Sequence, residues 1–365
     1  MNDSGFQEDS KSANRVLPPA GEDLLPPVEA PSAGFIIQLF VVPALIVIVI
    51  VGVWLTFNWL VLSTVRTPER LIQGLEQGPN IARWQKASEL ADLLRNERFA
   101  EFKRSGDAAD QLAGILDREI ARADGAMQEG DVTLRYFLTR ALGEFEVPNG
   151  INVLLKAAAT NRDPGEQIVR NGALEAIAVR AYNLHQLEPS QTLAHAELEP
   201  TLIRLAGDED PQIRLKTAYA LGQIGTPAAI EQLELMVDDP DDDTRYNAAV
   251  GLAHRGKDAG IETLAEMLDL EELASDRDGK TTEDSAARRA VLVHTAIEAA
   301  RALAKQNSTA DLSLVIAELE AIADADSETL EKAQLPSRVV AEARGALEAL
   351  RGEGRKNAEA SDGQL

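Results

Sequence analysis

Near the middle of this 365-residue chain the sequence repeats itself. Residues 208–239, DEDPQIRLKTAYALGQIGTPAAIEQLELMVDD, superpose on the following stretch, 240–269, when shifted by 31 positions. Asp210 falls on Asp241, Arg214 on Arg245, Ala218 on Ala249, Leu221 on Leu252 and Gly225 on Gly256. Ile230, Leu233 and Met236 fall on Ile261, Leu264 and Met267. Self-similarity at such a period marks a repeat architecture, in which each unit is one supersecondary element. The unit reads as a helical hairpin. Ile213, Thr217, Ala220, Leu221 and Ile224 share one face of a first helix, and Gly225 ends it. A second helix opens near Pro227, and the acidic-Pro turn before each unit supplies an N-cap at the positive end of the helix dipole. A hairpin this short cannot bury its apolar face alone, so copies must stack, and small Ala residues let paired helices approach closely.

Weaker copies extend the frame in both directions. A shift of 79 from the same unit reaches Asp131, Arg135, Ala141-Leu142-Gly143, Phe145, Ile151 and Leu154. Asp163-Pro164 and Arg170 begin another unit, and Arg83, Ala87 and Leu90 keep the spacing in an initial helix over 80–103. Downstream, a helix over 312–323 and a last amphipathic helix from Pro336 to near Arg351 follow. The expected fold is all-α, with stacked helical hairpins over residues 68–351, a long connection at 181–198 and an inserted loop at 271–285.

The pattern D-x-D-P-x-I-R-x-x-x-A-x-A-L-G-x-I-G from Asp208 resembles the HEAT-like repeat, in the short bacterial form also found in phycobilisome bilin lyases. The resemblance covers about 270 residues. It implies a curved right-handed α-solenoid used as a protein-binding surface, with the second helices lining the concave contact face. It also keeps open an alternative, an enzyme or enzyme subunit similar to the bilin lyases. Such motifs specify fold far more than function.

A second constraint precedes the repeats. From Phe35 to Leu62 no residue is charged, and Leu39 to Phe57 is apolar apart from Thr56. Nineteen residues of helix span about 28 Å, close to the hydrocarbon thickness of a bilayer. The run is apolar on every side, where a soluble helix would keep a polar stripe, so 35–62 is expected to be a transmembrane helix contacting lipid. It is too long for a signal-peptide core, follows an acidic segment and precedes no small-residue cleavage site, so it reads as an uncleaved anchor. Trp54, Trp59, Arg66 and Arg70 fit the membrane interface, and Pro43 suggests a mild kink. Residues 15–34 hold only Arg15 while 66–85 hold Arg66, Arg70 and Arg83, which favours a cytoplasmic C-terminal domain at a bacterial inner membrane. The opposite orientation, with that domain in the periplasm, stays open. The acidic Pro-rich stretch 1–34 and the segment 352–365 cannot bury a core and are expected to be disordered tails.

Charge narrows the function classes. Lys and Arg number 36 against 60 Asp and Glu, a net charge of −24. Two basic and six acidic residues lie before residue 66, leaving 34 against 54, so −20 of that charge sits on the helical array and its short C-terminal tail. Such an acidic surface repels phosphate backbones, which excludes broad nucleic-acid binding and favours basic protein partners. With no cysteine, disulfides, thiolate zinc sites and thiol nucleophiles are excluded.

Candidate chemistry is sparse. No two of His185, His195, His254 and His294 share the i, i+4 spacing of a helical metal pair. His185 and His195 fall near Glu188 and Glu197, a weak metal set against the default of surface histidines. Asp238-Asp239-Pro240-Asp241-Asp242-Asp243 carries oxygen enough for calcium but lacks the EF-hand register, and a capping turn already explains it. Arg135, Arg170, Arg214 and Arg245 recur at equivalent places and are expected to bridge to acids of their own or an adjacent repeat. No phosphate loop, nucleophile elbow or metalloprotease helix occurs, so neither catalytic residues, cofactor, metal nor small-molecule substrate is expected. The reading at this level is a non-catalytic, membrane-anchored scaffold for protein partners.

Overall fold

The computed structural model describes residues 32–63, 67–76, 80–122, 129–187, 192–275 and 282–362. The stretch 1–31, Arg66 and residues 276–281 of the inserted loop lie outside the described residues. Among those described there are helices and no strands. The chain divides into two units, Met1–Val65 and Arg66–Leu365.

The first unit contains α1, Ala33–Ser63, with Pro43 inside a continuous helix and no acidic or basic residue at either end. Within it, Ile37–Phe57 is long and apolar enough to cross a membrane. Its large side chains are exposed, Ile48 and Phe40 each to 69% of their surface.

The second unit begins with α2 (Pro68–Leu75), α3 (Asn80–Leu94), the short α4 (Ala100–Lys103), α5 (Gly106–Arg122) and α6 (Glu129–Gly143). There follow α7 (Ile151–Ala159), α8 (Glu166–Leu187), α9 (Leu198–Leu205), α10 (Pro211–Ile224), α11 (Pro227–Met236), α12 (Asp242–Ala253) and α13 (Ile261–Glu266). The array closes with α14 (Leu270–Ala274), α15 (Thr282–Gln306), α16 (Ser313–Asp324), α17 (Ser327–Lys332) and α18 (Arg338–Asp362). Two layers run side by side. The first layer is α3, α6, α8, α10, α12 and α15, each packed on the next; the second is α2, α5, α7, α9 and α11, then α13 on α16. α18 packs on both α15 and α16 at the end of the array.

The local signals act as physical chemistry requires. The Asp210 carboxylate accepts the Gln212 N–H at 2.9 Å, Pro211 occupies the first helical position, and α10 buries Ile213, Thr217, Ala220, Leu221 and Ile224. Asp241 caps α12 through the Thr244 N–H at 3.0 Å. Gly225 and Gly256 adopt left-handed φ values of 63° and 69°, which turn the chain after α10 and α12. The layers are also tight. A Cβ on Gly222 would stand 3.0 Å from the Gly251 Cα, and one on Gly143 would stand 2.7 Å from the Ala176 Cα. The core divides at α12, where Ala248 and Leu252 join the cluster that starts at Leu71, while Tyr246, Ala249 and Ala253 join the one that ends at Leu350.

Several expected boundaries move. The initial helix over 80–103 breaks after Leu94, because the Asn96 side chain accepts the Arg98 N–H at 3.0 Å and starts a separate 3-10 turn. The connection at 181–198 is shorter than expected, since α8 runs to Leu187 and carries His185. The insertion is part helix, with α14 capped by Asp269, whose carboxylate accepts the Glu271 N–H at 2.8 Å. α18 continues through 352–362, past the expected end near Arg351 and into the expected disordered tail; Arg, Lys, Ala and Glu around Gly352 and Gly354 favour helix enough to offset about 1 kcal/mol per glycine.

Gly225 gives the sharpest test of this geometry, because an added Cβ meets both the left-handed backbone and the Arg255 guanidinium. Gly225→Ala should destabilise the full chain by about 1–2 kcal/mol or more in urea unfolding, with an unchanged m-value.

Candidate interaction surface

The arginines of the first layer are built into the joints between repeats. Arg83 lies 2.7 Å from Glu119, Arg135 lies 3.2 Å from Glu166, Arg170 pairs with Asp208, Arg214 holds Asp239 at 2.8 Å, and Arg245 pairs with Glu266. Arg135 and Glu166 are each left with 2% of their side-chain surface, so this pair is buried outright. Most of these guanidiniums also close the end of the preceding helix or turn. Arg83 donates to the Leu75 carbonyl at 2.7 Å, Arg170 to Ala158 at 3.0 Å, Arg214 to Asp208 at 2.9 Å and Arg245 to Asp239 at 3.1 Å. Arg135 differs, donating Nε to the Asp131 carbonyl within its own helix. Asp131 therefore contributes backbone to the rung and lies inside α6 rather than at its cap.

Electrostatics follows from the pairing. Burial pushes the Asp208 carboxyl up, but hydrogen bonds from Arg170 and the Asp210 N–H, with the charges of Arg170 and Arg214, hold it below the usual range. Asp239 behaves alike: burial raises it, while Arg214, the Asp241 N–H and the charges of Arg214 and Arg245 bring it down. The Asp239 hydrogen bond raises Arg214. Four of the five carboxylates of the acidic turn are thereby engaged. Asp239 binds Arg214, Asp241 caps α12, Asp242 lies 2.9 Å from Arg245, and Arg288 reaches Asp243 at 2.6 Å.

A second polar ladder was not visible in the repeat register. Arg180 donates to the Asn149 carbonyl at 2.7 Å and to Leu142, at the end of α6. Burial lowers this guanidinium to about 10. Arg255 covers the end of α10 through the Gly222 and Gln223 carbonyls at 3.0 and 2.6 Å. At the end of α12 the Gln306 side chain donates to His254 at 2.7 Å and the Asn307 side chain to Gly256 at 3.2 Å. Each group satisfies carbonyls that a helix end leaves without partners.

The remaining sequence candidates separate. His185, on α8, and His254, the C-cap of α12, line one cavity of about 310 Å³ with Tyr182, Tyr219, Asn247 and Arg255. Burial and the Arg255 charge lower the His254 imidazole. His195 accepts the Glu197 N–H through Nδ1 at 3.2 Å, Glu188 lies outside the described residues, and His294 pairs with Glu342. Among the described residues no three His, Asp or Glu side chains gather as a metal set. Trp54 is exposed on α1 and Arg70 on α2; the Trp59 side chain and Arg66 lie outside the described residues. On the second layer, Glu231, Glu234 and Leu235 of α11, Ile203 of α9 and Glu262 of α13 are exposed, an acidic surface with apolar side chains between the charges.

Two layers of helices joined rung by rung define a helical repeat protein. Residues 176–253 match the family model of HEAT repeats. No curated protein matches the sequence. Among solved structures, an engineered protein is similar at 16% identity and a TM-score of 0.34, covering 80% of this chain and 98% of its own. YibA of Escherichia coli is similar at 15% identity and a TM-score of 0.32, covering 78% and 93%.

The rungs carry a pH signature. Asp208 and Asp239 have folded values below the unfolded value near 3.9, so their contribution is complete above about pH 4 and is lost as pH falls through the lower folded values. Asp208→Asn leaves the buried Arg170 without its counter-ion and should cost about 3 kcal/mol at pH 7. Urea titrations from pH 7 downward should show a shallower acid loss for that variant than for the parent.

Proposed function

We propose that this chain is a single-pass membrane protein whose helical repeats recruit protein partners at a bacterial inner membrane, from the cytoplasmic side. The observation that carries the reading is the pairing, in one chain, of an uncharged 31-residue helix with a repeat domain. Arg70 and Arg83 follow that helix, and the excess of basic residues on this flank supports the orientation. Anchoring raises the effective concentration of the repeat surface for partners confined to the same membrane. The acidic second layer, with Glu231, Glu234 and Leu235 exposed on α11, suits basic amphipathic partners. A non-catalytic role is supported by how the charged groups are used, since the carboxylates with lowered values at Asp208 and Asp239 are engaged in joints between repeats.

Two measurements test the proposal. A C-terminal reporter active only in the cytoplasm should be active; activity of a reporter restricted to the periplasm would reverse the orientation. Crosslinking in native membranes should recover the same basic partners reproducibly, and charge reversal at Glu231 and Glu234 should weaken their capture at least tenfold without changing Tm. Equal recovery by that variant would remove α11 from the contact surface.

A further inference from the structure

The arginine ladder has a sixth rung, and that rung lacks its acid. Every first-layer helix carries one of these arginines, and in α15 the residue is Arg289. It keeps 8% of its surface, close to the 6% of Arg83. It closes the preceding helix in the same way, donating Nη2 to the Ser275 carbonyl at the end of α14 at 3.1 Å. The other five arginines each meet a carboxylate at this point of the joint. Nη1 of Arg289 is buried with no hydrogen-bond partner. The residue lines a cavity of about 70 Å³ together with Asp242, Tyr246, Glu266 and Glu272.

We propose that this cavity binds a ligand carboxylate, which completes the rung on Nη1 of Arg289. A buried guanidinium with an unused donor costs several kcal/mol unless an anion compensates it, and a carboxylate is the anion that the five other rungs use. Two of the three acids lining the cavity are engaged elsewhere. Asp242 and Glu266 are held by Arg245, and the Tyr246 hydroxyl donates to Glu266 at 3.4 Å. Arg288 is directed to Asp243. The volume exceeds the roughly 15 Å³ that one water needs, so it admits an acid group with little else attached. The ligand therefore enters by its carboxylate end, either a small organic acid or a glutamate or aspartate side chain of a partner. The site does not depend on the membrane reading.

The test is thermal unfolding of the full chain in detergent, with acetate or a capped peptide holding one glutamate, each against chloride at equal ionic strength. At ten times its dissociation constant a ligand gives about 2–4 °C in Tm. Acetate should produce that shift, and Arg289→Met should abolish it while leaving Tm in chloride unchanged or higher. A shift with the peptide alone supports the site and assigns the acid to a partner protein. Two results overturn the proposal: no shift with either probe, or an equal shift in the Arg289→Met variant. Should Arg289→Met fail to fold, hydrogen exchange on the unmutated chain decides, with slower exchange in α14 and the start of α15 on adding acetate as the expected result and unchanged exchange there as the refutation.

Discussion

The domain depends on the joint between one helical hairpin and the next. Burial of apolar surface drives the stacking, but it is non-directional, so the stripe of Ile213, Thr217, Leu221 and Ile224 requires a neighbour without fixing its angle. Direction comes from the five arginines from Arg83 to Arg245, each of which binds a backbone carbonyl and a carboxylate. Such charge-assisted bonds have narrow geometry, and taking their charges out of water offsets much of the energy they return. The ladder therefore contributes register more than net stability. The polar groups at the far ends of the first-layer helices, Arg180, Arg255, Gln306 and Asn307, act on the same joints from the other end.

The joints are not equal along the array. Up to α12 the first-layer helices approach closely enough that glycine is required, as at Gly222 and Gly251. Beyond it the core continues as a separate cluster, with α12 contributing Ala248 to one side and Ala249 to the other. The inserted segment falls at this change, and so does the one rung whose acid is missing. A repeat array with one altered joint has a place where an added group can be accommodated without disturbing the packing of the remaining units.

The repeat units, their caps and their turns were legible in the sequence because each rests on local chemistry. Asp210 and Asp241 cap because a carboxylate sits one residue ahead of a helix, and Gly225 and Gly256 turn because glycine adopts a positive φ at little cost. The arginine positions were legible for the same periodic reason. Their partners were not. The acids lie 36, 31, 38, 25 and 21 residues beyond Arg83, Arg135, Arg170, Arg214 and Arg245, and no fixed shift aligns them. Arg180 and Arg255 escaped notice because a shift of 31 places Arg255 over Ile224, a core position of the previous unit.

The sequence alone determined that the chain after residue 66 is an all-helical stack of hairpins and that an uncharged apolar helix stands before it. Periodicity and composition are enough for both, since one depends on side-chain spacing within a helix and the other on the absence of charge over its whole length. Only the tertiary structure decided which carboxylate meets which arginine, which helix ends are covered from a neighbour, and which rung is left with a free donor. Those outcomes depend on how far one unit is turned against the next, a quantity set by the packing of whole helices and not encoded at any single position.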